Sequence, residues 1–216
     1  MNFERLLFLM TRPWVIISYF ILMILLYFYL DQWVAYYFHR FDLRGKCPPL
    51  VWLTHLGSNV LYLSTLFILA VFFRYIRPEK VREARCWFLW LCVLIPSSVC
   101  FVLKILFGRA RPDLLFDQHL YGLFGLKWHT LFWSLPSGHS TTIMGLIFGL
   151  TALFPRYFYL LLLAGLMVVS SRVLLTAHYL SDVMVAGYLA LLEVGLLTYG
   201  LRRKPILNLD ALVECR

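Results

Sequence analysis

Six long apolar stretches, at about 14–30, 57–73, 86–103, 139–154, 157–171 and 178–201, leave this chain little choice of environment. A helix that crosses a bilayer needs roughly 20 mostly apolar residues. In hydrocarbon each backbone N–H and C=O must be satisfied inside the segment, which a helix does by itself. The expected fold class is therefore all-α, a polytopic membrane helix bundle with six transmembrane helices. Hydrophobic residues make up 62% of the 216 and charged ones only 14%, against about 45–50% apolar in a soluble domain. Residues 1–216 read as a single integral membrane domain, with no room for a separate soluble one. The first stretch follows Arg12, is too long for a signal-peptide core and lacks a small-residue cleavage site, so it reads as a retained helix. Pro96 predicts a kink in the third.

Twenty Lys and Arg against eleven Asp and Glu give a net charge of +9. A nucleic-acid-binding protein would gather such charge on a soluble face; here it lies at the ends of apolar stretches, so no nucleic-acid partner is expected. Arg5 and Arg12 precede the first stretch. Arg74, Arg77, Lys80, Arg82 and Arg85 fill the link between the second and third. Arg156 separates the fourth and fifth, and Arg202, Arg203 and Lys204 follow the sixth. With six spans all four places fall on one side, which the positive-inside rule makes cytoplasmic. Arg40, Arg44 and Lys46 run against that rule. Two longer outer segments remain, 31–56 and 113–135. Both are rich in aromatics and read as interfacial, the second as an anchoring belt or as a groove for a lipid.

The cysteines, Cys47, Cys86, Cys92, Cys100 and Cys215, are odd in number and contain no CxxC. They indicate neither a disulfide framework nor a zinc site and read as small apolar filler.

Three outer segments carry chemistry that apolar packing does not need. Lys104-x6-Arg111-Pro112 supplies a point charge and a rigid fork that suit phosphate oxygens. Pro136-Ser137-Gly138-His139 opens the fourth stretch, where a helix N-terminus with free N–H groups makes an anion site. Ser137 can cap that helix or bond a phosphate oxygen, and His139 is a candidate acid–base group. Ser171-Arg172-x5-His178-x3-Asp182 adds a third cation and a histidine–carboxylate pair. His178 and Asp182, four apart, are expected on one helical face. There the carboxylate would take the proton on one imidazole nitrogen and leave the other free to attack. A turn must bring Arg172 and His178 together, although no Gly or Pro marks one.

The three segments, complete and in this order, closely resemble the signature motifs of the type 2 phosphatidic acid phosphatase superfamily, whose wider relatives include vanadium haloperoxidases. The resemblance implies a metal-independent lipid phosphatase with no cofactor. In it His178 would be the nucleophile, forming a phosphohistidine, Asp182 its orienting carboxylate and His139 the acid and then base. Lys104, Arg111, Arg172, Ser137 and Gly138 would hold the phosphate, whose charge lies on its equatorial oxygens. The substrate would be a membrane lipid phosphate or diphosphate, of the undecaprenyl diphosphate, phosphatidylglycerol phosphate or lipid A class. The expected location is the cytoplasmic (inner) membrane of a bacterium, with both termini inside and the site at the outer membrane–water interface. A phosphotransferase with a lipid acceptor would need the same residues. A transporter would not gather its charges at one face. His39, His55, His119 and His129 have no partner spacing and are expected to take no direct part. Glu193, inside the sixth stretch, is expected to make a hydrogen bond within the bundle.

The charge asymmetry makes a testable prediction. In a cysteine-free background, a cysteine at Glu79 should be protected from an impermeant thiol reagent in intact cells, and one at Gln118 should react. The opposite pattern would place the motifs in the cytoplasm.

Overall fold

The computed structural model describes residues 2–203. Lys204 and Cys215 lie outside them. The chain forms α1 (Phe3–Met10), α2 (Pro13–Leu25), a π-helical turn (Leu26–Leu30), α3 (Asp31–His39), α4 (Leu43–Lys46), α5 (Pro48–His55), α6 (Asn59–Tyr75), α7 (Lys80–Phe107), α8 (Pro112–Gln118), α9 (Gly138–Leu153), α10 (Phe158–Leu174) and α11 (Leu180–Arg203). Short 3-10 turns occupy Thr130–Phe132 and Pro155–Tyr157. Among the described residues there is no strand, only the isolated bridge Arg109–Leu123. The boundaries follow local chemistry. Proline stands in the first turn of α2, α5 and α8, where its missing N–H costs nothing. Gly108 closes α7 in the left-handed region at φ 52°.

All six apolar stretches are helical, but the count of six spans is not reached. Four helices are long and apolar enough to cross a membrane: Pro13–His39, Lys80–Phe107, Pro155–Leu174 and Leu180–Arg202. The pair α5 and α6, bent by 47°, makes a fifth if it is one span. Helix α9 has only 16 residues, about 24 Å of helix against a hydrocarbon layer of about 30 Å. Its position explains why that suffices. It is the hub of the bundle, packed on α7, α10 and α11 and touching α1 and α6, and nearly every residue from Ser140 to Leu153 is buried. A helix enclosed by other helices need not match the lipid. Helix α2 is the opposite case, with no buried residue at all.

The core lies where α7 meets α9. Helix α7 runs unbroken through Pro96. That proline has no N–H to give the Cys92 carbonyl one turn earlier. The carbonyl instead faces Gly145 of α9, where a Cβ would stand 2.4 Å from its oxygen. One turn on, a Cβ at Gly149 would stand 2.9 Å from Cys92 Sγ. The two glycines form a small-xxx-small ridge that lets the helices close up. Cys86, Cys92 and Cys100 are buried free thiols on α7.

Gly145→Val should therefore push α7 off α9, at a cost of about 1–3 kcal/mol or more for overpacking against backbone. Gly200→Val, with open space around it, should cost little beyond helix propensity. Thermal midpoints in detergent compare the two, and equal midpoints would contradict this packing.

Candidate active site

The three polar segments meet at one end of the bundle, tied by backbone bonds before any functional side chain is counted. The loop after α7 folds back so that Arg111 N–H donates to Leu131 O (2.9 Å), Ser134 N–H to Arg109 O (3.1 Å) and Lys127 N–H to Ile105 O (3.2 Å). Ser137 N–H donates to Asp182 O at 3.3 Å, joining the start of α9 to the start of α11. The aromatic segment 113–135 is thus partly a clamp on the first motif. Its surface still shows Trp128, 77% exposed.

His178 does not open α11 as the sequence reading expected; it sits in the turn before it. The chain reverses at Thr176, which takes a positive φ of 51° without help from glycine. Ala177 and His178 N–H groups both donate to Arg172 O, at 3.0 and 3.3 Å. That turn supplies the closure between Arg172 and His178. The imidazole is 3% exposed. Its Nδ1–H donates to Ser134 O at 2.8 Å, and Asp182 Oδ2 stands 3.7 Å away, an ion-pair distance. Orientation is shared between a backbone carbonyl and the carboxylate, and Nε2 remains as the free lone pair. Burial pushes the imidazole well below its ordinary range, helped by Lys104, Arg172 and Arg111 and opposed by Asp182.

Asp182 is fully buried and accepts from Ser134 Oγ–H (2.6 Å), Tyr179 N–H (3.0 Å) and Arg109 Nη1 (2.5 Å). Arg109, two residues before Arg111, is only 1% exposed. Its Nη1 also donates to Ser181 Oγ at 2.7 Å, and its Nη2 to Asp31 Oδ2 (2.7 Å) and Tyr121 Oη (3.0 Å). The guanidinium lies over the rings of Tyr27, Tyr121 and Tyr179 at 4.9, 5.5 and 4.6 Å. Burial works against its charge, but Asp182 and Asp31 outweigh burial and hold it protonated. Asp31, expected in an outer segment, is likewise 0% exposed inside the helix that continues the first span.

The remaining cations face the same space. Lys104, Arg111 and Arg172 act electrostatically on both His139 and His178. Lys104 Nζ donates to Trp133 O at 2.8 Å, its stem lying 3.5 Å from where a Cβ on Gly138 would be. Arg172 Nη1 donates to Thr54 Oγ at 2.6 Å. The buried Nε atoms of Arg111 and Arg172 have no partner among the described residues. Ser137 caps α9, its Oγ accepting from Ser140 Oγ–H at 3.0 Å. His139, in the first turn of α9, packs on the bend between α5 and α6. A Cβ at Gly57 would stand 2.7 Å from the His139 Cβ, so that approach needs glycine. His139, Gly138 and Lys104 share a pocket of about 170 Å³ with Ser58, Asn59 and Ser97.

All eight residues singled out from the sequence are thus brought to one place. Sequence reasoning missed the side chains that hold them: Arg109, Asp31, Ser134, Ser181, Tyr121 and Thr54. Asp31 had a readable signal, an acid at the end of an apolar stretch, which is a functional candidate by default. The carbonyls of Ser134 and Trp133 had none. Of the histidines set aside, His39 stacks on Phe116, His129 accepts from Leu131 N–H, and His55 lies within electrostatic reach of His139. Glu193 does not make the expected hydrogen bond. Its Oε2 is buried without a partner among the described residues.

Comparison with known proteins gives the family. The PAP2 superfamily profile matches residues 85–205, more than half of the chain, and takes in all eight residues above. Lipid A 1-phosphatase of Rhizobium johnstonii is 36% identical over 100 residues, which are 46% of this chain and 41% of that protein. Lipid A 1-phosphatase of Rhizobium etli is 34% identical over 121 residues, 53% of this chain and 52% of that protein. The matched part therefore spans about half the length of these relatives or less. No solved structure matches the chain. With its motifs gathered at one end of a helix bundle, the chain belongs to the PAP2 superfamily.

Proposed function

We propose that this chain is an integral-membrane phosphatase that releases phosphate from a membrane lipid through a phosphohistidine on His178. The observation that carries the reading is a buried histidine with Nε2 free, ringed by Lys104, Arg111 and Arg172. The two guanidinium groups, of Arg111 and Arg172, each hold a buried donor with no partner among the described residues. Buried donors are almost always satisfied, and a tetrahedral oxyanion fits the deficit.

In the proposed reaction His178 Nε2 forms a bond to phosphorus as the P–O bond to the lipid breaks. The leaving oxygen takes a proton from His139. The proton stays on Nδ1, donated to the Ser134 carbonyl, and Asp182 stabilises the positive ring. Water, giving its proton to His139, then attacks phosphorus and breaks the P–N bond. Lys104, Arg111, Arg172, Ser137 and the N–H groups at Gly138 carry the phosphoryl charge. No metal enters the proposed steps. The relatives' names favour lipid A phosphates as the first substrates to test. We place the chain in the inner membrane as one domain with six crossings, both termini cytoplasmic. There α5–α6 and the short α9 complete the four longer spans, and the site opens outward.

His178→Ala should abolish phosphate release from lipid phosphates in detergent. Asp182→Asn should lower kcat by roughly 10²–10⁴-fold. Normal release by His178→Ala would refute the mechanism. The nucleophile must be neutral. Because burial lowers the His178 pKa, its neutral form persists as pH falls. The acidic limb of kcat/KM should therefore lie below about 6.5, the ordinary histidine value. A limb at or above that value would contradict the assigned role.

The lipid assignment has its own test. Each buried chain methylene adds about 0.8 kcal/mol to membrane partitioning, so a long-chain lipid phosphate should show a much higher apparent second-order rate than its short-chain analogue. Equal rates would leave segment 113–135 as an anchor only.

A further inference from the structure

We infer that Asp31 is a positioning residue of this site, a second buried carboxylate that leaves Asp182 free to serve His178. The inference rests on the phosphohistidine reading above. Residue 31 lies ahead of the matched residues 85–205.

The argument is a charge count. Both oxygens of Asp31 are bonded, with Tyr121 Oη a further 3.5 Å contact on Oδ2. Oδ1 accepts from Ser181 N–H at 2.9 Å, and Oδ2 accepts from Arg109 Nη2 at 2.7 Å and from the Ser181 hydroxyl. Ser181 N–H and Arg109 Nη2 can only donate, so each Asp31 oxygen faces an obligate donor; Ser181 Oγ in addition accepts from Arg109 Nη1. Asp182 likewise meets only donors: Arg109, Ser134 Oγ–H and Tyr179 N–H. With a donor on each oxygen, one of them the Arg109 guanidinium, each of the two groups is a carboxylate. Two carboxylates therefore share one guanidinium, and the buried cluster carries one net negative charge.

Asp182 alone would have balanced Arg109. The pair would then be neutral and would offer little field to the ring of His178, 3.7 Å from Asp182. Asp31 takes up Nη2 of Arg109 and restores that field. The need is real, because Lys104, Arg172 and Arg111 all act against positive charge on His178, and Asp182 is the anion opposing them. As His178 attacks, its ring becomes cationic in the midst of those groups.

Asp31 reaches the site through a change of helical face. Helix α2 has no buried residue, yet Asp31, which opens α3, is fully buried. The π-helical turn Leu26–Leu30 comes between. Such a turn changes the face that following residues present and is frequent at functional sites. Tyr121 closes the arrangement, its hydroxyl donating to Tyr27 O and accepting from Arg109 Nη2.

The test follows His178 by 15N-histidine NMR in the full chain in detergent, alongside kcat and KM. Asp31→Asn removes the extra negative charge, so the His178 titration should fall by about one unit. The rate should drop roughly tenfold, the same free energy read in kcat, with KM within about twofold. Asp31→Glu keeps the charge and should keep the wild-type titration and most of the rate. An unmoved titration in Asp31→Asn would overturn the inference, even if activity were lost, since loose packing alone lowers activity. So would a downward shift in Asp31→Glu equal to that of Asp31→Asn. Should Asp31→Asn fail to fold, Asp31→Asn/Arg109→Gln removes one charge of each sign and should titrate as wild type; a downward shift there overturns the inference. The titration needs no turnover. Failure of the wild type to release phosphate from any lipid phosphate would sink the phosphatase reading separately.

Discussion

A guanidinium with almost no access to solvent, Arg109 between Asp31 and Asp182, is the constraint around which this end of the bundle is built. An unpaired charge at that depth would cost several kcal/mol, so the guanidinium demands partners on more than one side. It finds them on helices remote in sequence. Asp31 comes from the continuation of the first span, Asp182 and Ser181 from the start of α11, and Tyr121 from the loop after α7. Three tyrosine rings fill the remaining directions. Geometry imposed by charge satisfaction is stiffer than geometry imposed by apolar contact, because a lost bond leaves an uncompensated ion.

From that anchor the candidate site is assembled in one sense. Asp182 is fixed by Arg109 and Ser134, and Ser134 in turn gives its carbonyl to His178. The imidazole is thereby held by a chain of bonds that begins at Arg109. Lys104, Arg111 and Arg172 are held more loosely. Among the described residues the side chains of Lys104 and Arg172 each make one hydrogen bond, to Trp133 O and Thr54 Oγ, and keep capacity for an anion. The Arg109 side carries many bonds, although Arg109 Nε and Tyr179 Oη lack partners among the described residues, and the Lys104 and Arg172 side carries few. That asymmetry suits a reaction in which the nucleophile is part of the scaffold and the phosphoryl group comes and goes.

The bundle beneath supplies depth rather than chemistry. Helix α9 brings Ser137, Gly138 and His139 to the mouth because it is sunk in the centre, close-packed on α7 through Gly145 and Gly149. The bend between α5 and α6 lets Gly57 lie against His139. These are contacts of backbone and small residues, which carry no charge signal and are readable only once the helices are placed.

Much of this was legible in the residues. Apolar stretch length dictated helices, because hydrocarbon tolerates no unsatisfied backbone. The residues Lys104, Arg111, Ser137, Gly138, His139, Arg172, His178 and Asp182 stood out because polar groups beside such stretches need a reason. The sequence by itself determined the helical class, the family motifs and which side chains were available. Only the tertiary structure decided that Arg109 is buried, that Asp31 lies beside Asp182 at the site, that His178 sits in a turn made at Thr176, and that α9 is a short helix enclosed by its neighbours. The reason is physical. Periodicity and spacing report what one segment does along its own axis. Pairing a buried charge across more than a hundred residues, as Ser181 does with Asp31, depends on which helix faces which, and that is set by packing the bundle as a whole.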